Sequence, residues 1–320
     1  MPKSKQITEF PNQGIISNLK ILAEYEKIHK NPYKAVAYER VIENIEILDK
    51  QIKTIEDIQY VKGIGKSIEE KIIEYLSTGK IQAVEQALTD EKYVLGKQLL
   101  GIYGIGPAKI QELLEKISTF NDLFDNQNLL NDKQKIGLKY YNDLQERIPI
   151  QEGKQHHKVI KTAIQFVTND KNIIFEMVGS YRRKAKSMGD IDILIKDNSK
   201  FSLKDFVNHL QTTGYIIEVL ASGKNKFMGI CKLSPDLPAR RIDVLIAEPS
   251  HYYFALLYFT GSYNFNIYMR RIALQKGLSL SEYGFKDNKT KQMIDTSDVI
   301  QNEEDIFKYL GILYVLPNKR

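Results

Sequence analysis

Gly189-Asp190-Ile191-Asp192-Ile193-Leu194-Ile195 carries two carboxylates at i and i+2 as it enters an apolar run, and in a strand residues two apart project from the same face. Together they can bind a metal pair. A third carboxylate, Asp243, interrupts a second apolar run, Arg241-Ile242-Asp243-Val244-Leu245-Ile246. An unpaired charge there is costly to bury, which gives this strand a reason to lie beside the first. Three clustered carboxylates raise one another's pKa unless cations neutralise them, and that suits Mg²⁺ held between aspartates and phosphate oxygens. Just upstream, Val178-Gly179-Ser180-Tyr181-Arg182-Arg183-Lys184 ends a strand and opens a short helix. Gly179 lets a phosphate approach the backbone, Ser180 donates to it and Arg183 neutralises it. A basic surface loop followed by two solvent-facing aspartates explains neither the third aspartate nor the glycines. The chemistry that fits is two-metal nucleotidyl transfer, with an attacking 3′-hydroxyl and a pyrophosphate leaving group.

Outward from this segment the texture differs on the two sides. Short β-rich runs begin at Ile173 and continue through Ile191–Ile195, Lys226–Cys231 and Arg241–Ile246, which predicts a sheet domain. Residues 15 to 145 instead carry apolar positions at helical spacing, as in Leu19, Leu22, Ala23 and Tyr38, Val41, Ile42, Ile45. Arg147-Ile148-Pro149 stops the helical half through its proline, and Glu248-Pro249-Ser250 sets off a small C-terminal α/β module.

The helical half holds one internal repeat. Val61-Lys62-Gly63-Ile64-Gly65-Lys66 and Ile102-Tyr103-Gly104-Ile105-Gly106-Pro107 each precede an amphipathic helix, giving two predicted units of helix, Gly-Ile-Gly hairpin and helix. Each glycine pair permits a tight turn with φ > 0, and the following helix start offers N–H groups to a nucleic-acid backbone whatever its base sequence. A dinucleotide fold is disfavoured, because no strand precedes either hairpin and the third glycine is missing. Lys71 lies on the helix after the first hairpin, with Lys66 at its start and Lys30 and Lys34 on an earlier helix. A solvated lysine paired with Glu70 or Glu74 explains Lys71 by charge pattern alone; nucleophilic chemistry requires neighbouring cations or burial to free its amine.

The chain has 320 residues, and its 42% hydrophobic content is enough for two or more packed domains. Its single cysteine, Cys231, excludes an internal disulfide and CxxC chemistry. No apolar run reaches the roughly 18 residues a bilayer span requires, and Met1 to Phe10 is polar and lysine-bearing; the expectation is an intracellular, soluble protein without membrane association. The net charge of +6 is uneven: residues 1–150 carry 21 basic and 22 acidic groups, residues 151–320 carry 25 and 18. The basic excess lies wholly in the second half, a weak pointer to a polyanion partner.

These residues resemble the nucleotidyltransferases of DNA polymerase family X, nearest its beta-type members, across nearly the whole chain. The likeness runs through His29-Lys30 with Tyr33, Gly63-Ile64-Gly65 with Lys71, Gly104-Ile105-Gly106-Pro107, Ile136-Gly137-Leu138-Lys139-Tyr140-Tyr141, Arg147-Ile148-Pro149, the Gly179-Ser180 and Asp190/Asp192 segment, Arg240-Arg241-Ile242-Asp243, and Tyr258-Phe259-Thr260-Gly261-Ser262. It implies an α+β multidomain fold: N-terminal all-α helix-hairpin-helix domains, then a nucleotidyltransferase palm with a mixed/antiparallel sheet, then a small C-terminal α/β domain. The implied boundaries are 1–88 (lyase), 89–148 (DNA-binding), 149–248 (palm) and 249–320 (nascent base pair).

The resemblance further implies a DNA-directed DNA polymerase that fills short gaps in repair and carries a 5′-deoxyribose-phosphate lyase activity. Asp190, Asp192 and Asp243 would hold two Mg²⁺ (Mn²⁺ substituting), and Arg147, Gly179, Ser180, Arg183 and Gly189 would meet the incoming triphosphate. Tyr258, Phe259, Gly261 and Asn266 would line the nascent pair. His29, Lys30, Tyr33, Gly63, Gly65, Lys66, Gly104, Gly106, Arg241, Arg270 and Tyr283 would contact DNA, with His29, Lys30 and Tyr33 near the 5′-phosphate pocket. Lys71 would be the Schiff-base nucleophile. The carbonyls of Val61, Ile64, Leu100, Ile102 and Ile105 would ligate monovalent cations (Na⁺ or K⁺).

The implied partners are gapped or nicked DNA, dNTPs and a ligase or repair complex, and the implied state is a monomer. The implied compartment is the nucleus, or the cytoplasm or virion for a viral gene. Gln59, Ser67 and Ala83 stand where beta-type members have lysines, implying weaker lyase activity; Leu245 replaces an arginine and Tyr263 an aspartate, which touches closing and base selection. Neither a BRCT module ahead nor a phosphoesterase domain behind is expected. Two other readings are a template-independent terminal transferase, disfavoured by the short stretch between Lys226 and Arg240, and an inactive structure-specific DNA-binding protein, disfavoured by the complete carboxylate set.

Overall fold

A computed structural model describes residues 12–48, 50–168, 172–197 and 201–320. The polar Met1–Phe10 segment lies outside them. By compactness the described chain divides into two units, 12–141 and 142–320.

The first unit is helical: α1 (Gln13–Ile28), α2 (Pro32–Glu46), α3 (Lys66–Thr78), α4 (Gln82–Thr89), α5 (Glu91–Leu100), α6 (Pro107–Leu114), α7 (Asp122–Asp125) and α8 (Asp132–Lys139), with α9 (Tyr141–Gln145) at the junction with the second unit. It holds two apolar cores. Leu19, Val41, Ile45, Ile72 and Ile81 centre the first, and Leu99, Ile102, Ile110, Leu113 and Leu123 the second, so two small cores follow one another along the chain, α4 belonging to the first through Val84. Asn12 ties α1 to the first core's loop, donating from Nδ2 to the Lys50 carbonyl at 3.0 Å and accepting from the Ile52 N–H at 2.7 Å.

The repeat is partly as expected. The second hairpin joins α5 to α6, but the first is preceded only by a 3₁₀ turn, Ile55–Asp57. Apolar residues are sparse between Lys50 and Thr54, and a Thr54–Asp57 capping box fixes a single turn. Within each pair the glycines differ in role. Gly63 (φ +87°) and Gly104 (φ +83°) make the left-handed turn, while Gly65 and Gly106 are extended N-caps of α3 and α6. A Cβ on either of the latter would meet nothing within 4 Å, so their missing side chains leave open space in front of the helix start.

The second unit is built on a five-stranded mixed sheet of order β2-β4-β7-β6-β5. Its strands are β2 (Phe175–Met177), β4 (Ile191–Lys196), β5 (Ile216–Ser222), β6 (Lys226–Cys231) and β7 (Arg240–Ala247); β1 (Ile148–Pro149) and β3 (Ser187–Met188) form a separate antiparallel pair. β4 and β7 run parallel and every other pairing in the large sheet is antiparallel. Alternation sorts the two central strands by face. Ile191, Ile193 and Ile195 with Ile242, Val244 and Ile246 enter the core beneath α10 (Ile150–Thr168) and α12 (Leu203–Thr212). On the other face Leu194 and Leu245 meet Tyr252, Ala255 and Leu256 of α13 (Tyr252–Thr260). That second apolar face stops short of Asp192 and Asp243, which precede Leu194 and Leu245 by two residues on the same side of the sheet. α11 (Gly179–Arg182) follows β2; α14 (Tyr263–Gln275), the hairpin β8 (Leu278–Ser281)–β9 (Gly284–Asp287) and α15 (Glu303–Tyr309) complete the C-terminal part around Phe265, Met269, Phe285 and Phe307. No helix among the described residues is long and apolar enough to cross a membrane.

Candidate active site

Parallel pairing of β4 with β7 sets Asp192 opposite Asp243 in direct register; Asp190, two residues before Asp192, falls on the same face. The three carboxylates share one electrostatic field. Burial pushes the Asp192 carboxyl up to about 7, and the neighbouring Asp190 and Asp243 push in the same direction. Arg241 supplies counter-charge, donating to both Asp243 oxygens (3.2 and 2.8 Å) and lying 3.4 Å from Asp190. The sequence assignment of Arg241 to DNA leaves out this pairing. Among the described residues no three His, Cys, Asp or Glu side chains are drawn together closely enough to hold a metal ion. The donor set nevertheless fits hard divalent cations: it is all oxygen, crowded enough to hold one carboxyl near neutrality, and edged by an arginine at the surface.

The basic cradle faces this set. Arg183 donates to the Ser180 hydroxyl at 3.1 Å and to the Thr260 carbonyl. Burial opposes its charge, Asp192 favours it and Arg147 opposes it, so the two arginines and the carboxylate act on one another. Arg147 donates to the Ser187 hydroxyl (3.2 Å) and carbonyl (2.9 Å), which holds its guanidinium beside Gly189. The site's glycines stand where a side chain would displace these groups. A Cβ on Gly179 would lie 2.9 Å from Asp192 Oδ2, one on Gly189 3.2 Å from Arg147 Nη1, and one on Gly261 3.3 Å from Arg183 Nη1.

Beyond the cradle, Asn266 donates to the Tyr258 carbonyl at 2.8 Å and the Arg270 guanidinium lies 5.3 Å from the Tyr258 ring centre. Tyr258, Asn266, Met269, Arg270 and Leu280 line one small crevice. Phe259 packs edge-on to Tyr258 and against the core under α13. Tyr283 is exposed on the β8–β9 turn, edge-on to His251.

In the first unit, Lys71 opens on a cavity of about 570 Å³ lined by Tyr25, Glu26, Lys34, Tyr38, Lys66 and Ser67, among others. Its amine donates to the Ser67 hydroxyl (2.9 Å) and carbonyl (3.1 Å) one turn back, and Glu74 accepts from the Gln82 N–H instead. The expected partnership of Lys71 with Glu70 or Glu74 is therefore corrected. His29, Lys30 and Tyr33 do not line this cavity. The short link between α1 and α2 turns them elsewhere: His29 bonds Asp90 at 3.1 Å and packs on Tyr25, Lys30 bonds Glu115 at 2.6 Å, and Tyr33 is 91% exposed. Lys34, in the first turn of α2, lines the cavity. Val61 and Ile64 belong to the first hairpin turn, and Leu100, Ile102 and Ile105 to the second, where the Ile102 carbonyl accepts the Ile105 N–H.

Sequence reading missed a buried brace joining α11 to α15. Arg182 donates to both Glu303 oxygens at 2.9 Å and to Thr260, and Glu303 also accepts from Arg320 (2.7 Å) and Tyr314 (2.8 Å). No local pattern signals pairs so far apart in the chain.

Four family models match this chain in order. They are a helix-hairpin-helix domain (residues 10–81), the fingers domain of DNA polymerase lambda (97–145), the DNA polymerase beta palm (147–249) and the DNA polymerase beta thumb (255–320). The chain belongs to DNA polymerase family X. The carboxylates and cradle of this family X chain all lie inside the palm match, and Lys71 lies inside the helix-hairpin-helix match. Similar curated proteins include DNA polymerase lambda of Rattus norvegicus (28% identical, 100% of this chain and 58% of the relative) and DNA polymerase lambda of Arabidopsis thaliana (29%, 90% and 58%). DNA nucleotidylexotransferase of Xenopus laevis is 26% identical over 94% of this chain and 66% of its own length. The chain thus spans less than two thirds of each of these relatives.

Proposed function

We propose that the chain is a template-directed DNA polymerase that fills short gaps during repair by two-metal nucleotidyl transfer. The observation that carries this reading is the register of Asp192 with Asp243, beside Asp190 and facing Ser180, Arg183 and Arg147. When bound at the three aspartates, Mg²⁺ would supply charge neutralisation and acidify the primer 3′-hydroxyl. The chain's own residues do the rest. Arg183, Ser180 and Arg147 bind the triphosphate tail as it becomes pyrophosphate, and Tyr258, held through its carbonyl by Asn266, walls the sugar and base. The connection from β6 to β7 covers only residues 232–239, which leaves no insertion to displace a template strand and favours templated synthesis over terminal transfer. Asp243→Ala is expected to abolish Mg²⁺-dependent dNTP incorporation on a one-nucleotide gap while DNA binding survives; full activity in that variant refutes the reading.

The Lys71 cavity supports a second activity, 5′-deoxyribose-phosphate lyase. The Lys71 amine attacks C1′ of the ring-opened abasic sugar and expels water to form an imine. Loss of a C2′ proton then breaks the C3′–O bond, and hydrolysis returns the amine. Lys34 and Lys66 line the cavity as cations for the 5′-phosphate, whereas Ser67 and Ala83 are neutral walls. Borohydride is expected to trap the chain on 5′-deoxyribose-phosphate DNA, and undiminished trapping by Lys71→Ala would remove Lys71 from that role.

A further inference from the structure

Arg240, the first residue of β7, is 3% exposed and its charge is fully committed. Nε and Nη2 form a two-pronged pair with Glu152 of α10 at 2.7 and 3.0 Å, and Nη1 donates to the carbonyls of Asp143 and Glu146 at 3.3 and 3.2 Å. The neighbouring Ala239 N–H donates to the Asp143 carboxylate at 2.7 Å. Glu146 immediately precedes Arg147, and Glu152 sits on the first turn of the helix that follows it. One guanidinium therefore grips the backbone on the N-terminal side of Arg147 and the helix on its C-terminal side. The same residue roots β7. Arg240 and Ile242 face the core, Arg241 and Asp243 face the carboxylate cluster, so any shift of Arg240 along β7 is carried to Asp243 three residues on.

We infer that the Glu152–Arg240 pair is a positioning device that sets the triphosphate-binding Arg147 at a fixed distance from the catalytic carboxylate Asp243. This rests on the nucleotidyl-transfer reading above. A buried pair is weak evidence of stabilisation by itself, since replacing both partners with apolar residues of similar volume is often neutral. That same fact separates positioning from mere support. The double variant Glu152→Met/Arg240→Met removes both charges together, and what loses a partner is neutral, the Asp143 and Glu146 carbonyls and the His156 ring 3.5 Å from Glu152, so the chain is expected to stay folded, with a lowered urea midpoint. On a one-nucleotide gap its KM for dNTP is expected to rise at least about tenfold, because a misplacement well under 1 Å at a phosphate contact is costly.

In an Arg147→Ala background the same double substitution should leave KM unchanged, since the group it positions is gone. A folded double variant with parental KM and kcat overturns the inference, as does an effect that adds in full to that of Arg147→Ala. Should the double variant fail to fold, Arg240→Lys, which keeps the charge and loses the fork, is read by the same criteria. If the parent chain itself incorporates no dNTP, the nucleotidyl-transfer reading fails instead.

Discussion

Gly179→Ala tests the site at its tightest point. Gly179 has φ +56°, and a Cβ there would sit 2.9 Å from Asp192 Oδ2. Two costs follow, and they fall on different observables. The left-handed backbone costs an alanine roughly 1–2 kcal/mol, which appears as lost stability. The contact is short of an ordinary carbon–oxygen approach of about 3.3–3.6 Å, so the Asp192 carboxylate has to retreat by about half an ångström, and this appears as lost turnover. A 1 Å misplacement at a reacting centre costs on the order of 100-fold, and the expected fall in single-turnover dNTP incorporation on a one-nucleotide gap with Mg²⁺ is about 10- to 100-fold. Gly214→Ala is the matched control: φ is +75° there, and a Cβ would meet nothing within 4 Å. Both variants should lose comparable stability in urea, and only Gly179→Ala should lose turnover. Equal turnover in the two, whether both intact or both impaired, refutes the reasoning.

Two other perturbations read the scaffold. Gly137 of α8 lies against the second hairpin so closely that a Cβ would meet the Tyr103 N and O at 2.8 Å; because backbone atoms cannot rotate aside, Gly137→Ala should shift the Gly104–Gly106 turn, destabilise the helical unit by about 1–3 kcal/mol and weaken binding to gapped DNA in a titration by fluorescence anisotropy. His156 is fully buried, with Nδ1 2.7 Å from the Tyr215 hydroxyl, and burial pushes its pKa down to about 4. The unfolded chain, with a histidine pKa of about 6.5, then binds a proton that the folded chain refuses, so stability falls as pH drops from about 6.5 toward 4, by about 2 kcal/mol at pH 5 and about 3 in full. The difference in urea midpoint between parent and His156→Gln, followed from pH 7 to pH 5, should shift in favour of the variant; a constant difference would contradict this.

How much the sequence revealed depended on whether the signal was local. Asp190 and Asp192 were legible because carboxylates interrupting an apolar strand break its hydrophobic pattern at a stated spacing, and Asp243 because it breaks a second strand in the same way; their adjacency needed only the rule that an isolated buried charge is costly. β5 was passed over although Ile216-Ile217-Glu218-Val219-Leu220 follows the Gly214 break, because Glu218 and the bulges in its pairing with β6 blur strict alternation. Ile136–Tyr141 stood out as a motif without a physical reason; the reason is the near contact of Gly137 with the hairpin backbone. The Arg182–Glu303 and Glu152–Arg240 pairs left no trace, since partners 121 and 88 residues apart are matched only by the fold. That His29 and Lys30 stand outside the Lys71 cavity was not legible, because a short inter-helix link can turn either way and only the positions of Asp90 and Glu115 decide it.

The carboxylate face is a local violation that the rest of the sheet makes tolerable. Ile191, Ile193 and Ile195 with Ile242, Val244 and Ile246 fix the register of β4 and β7 from the opposite side, and a one-residue slip would turn every one of them out of the core. Because the register cannot relax, Asp192 and Asp243 cannot separate to relieve their repulsion, and Arg241 offsets it only from the surface side. A sheet kept only for stability would gain by replacing Asp192, whose charge is opposed by burial and by both neighbouring carboxylates, with a neutral residue. The retained repulsion is free energy that a divalent cation at this point would relieve, and rigidity set by a distant apolar face holds the carboxylates in place.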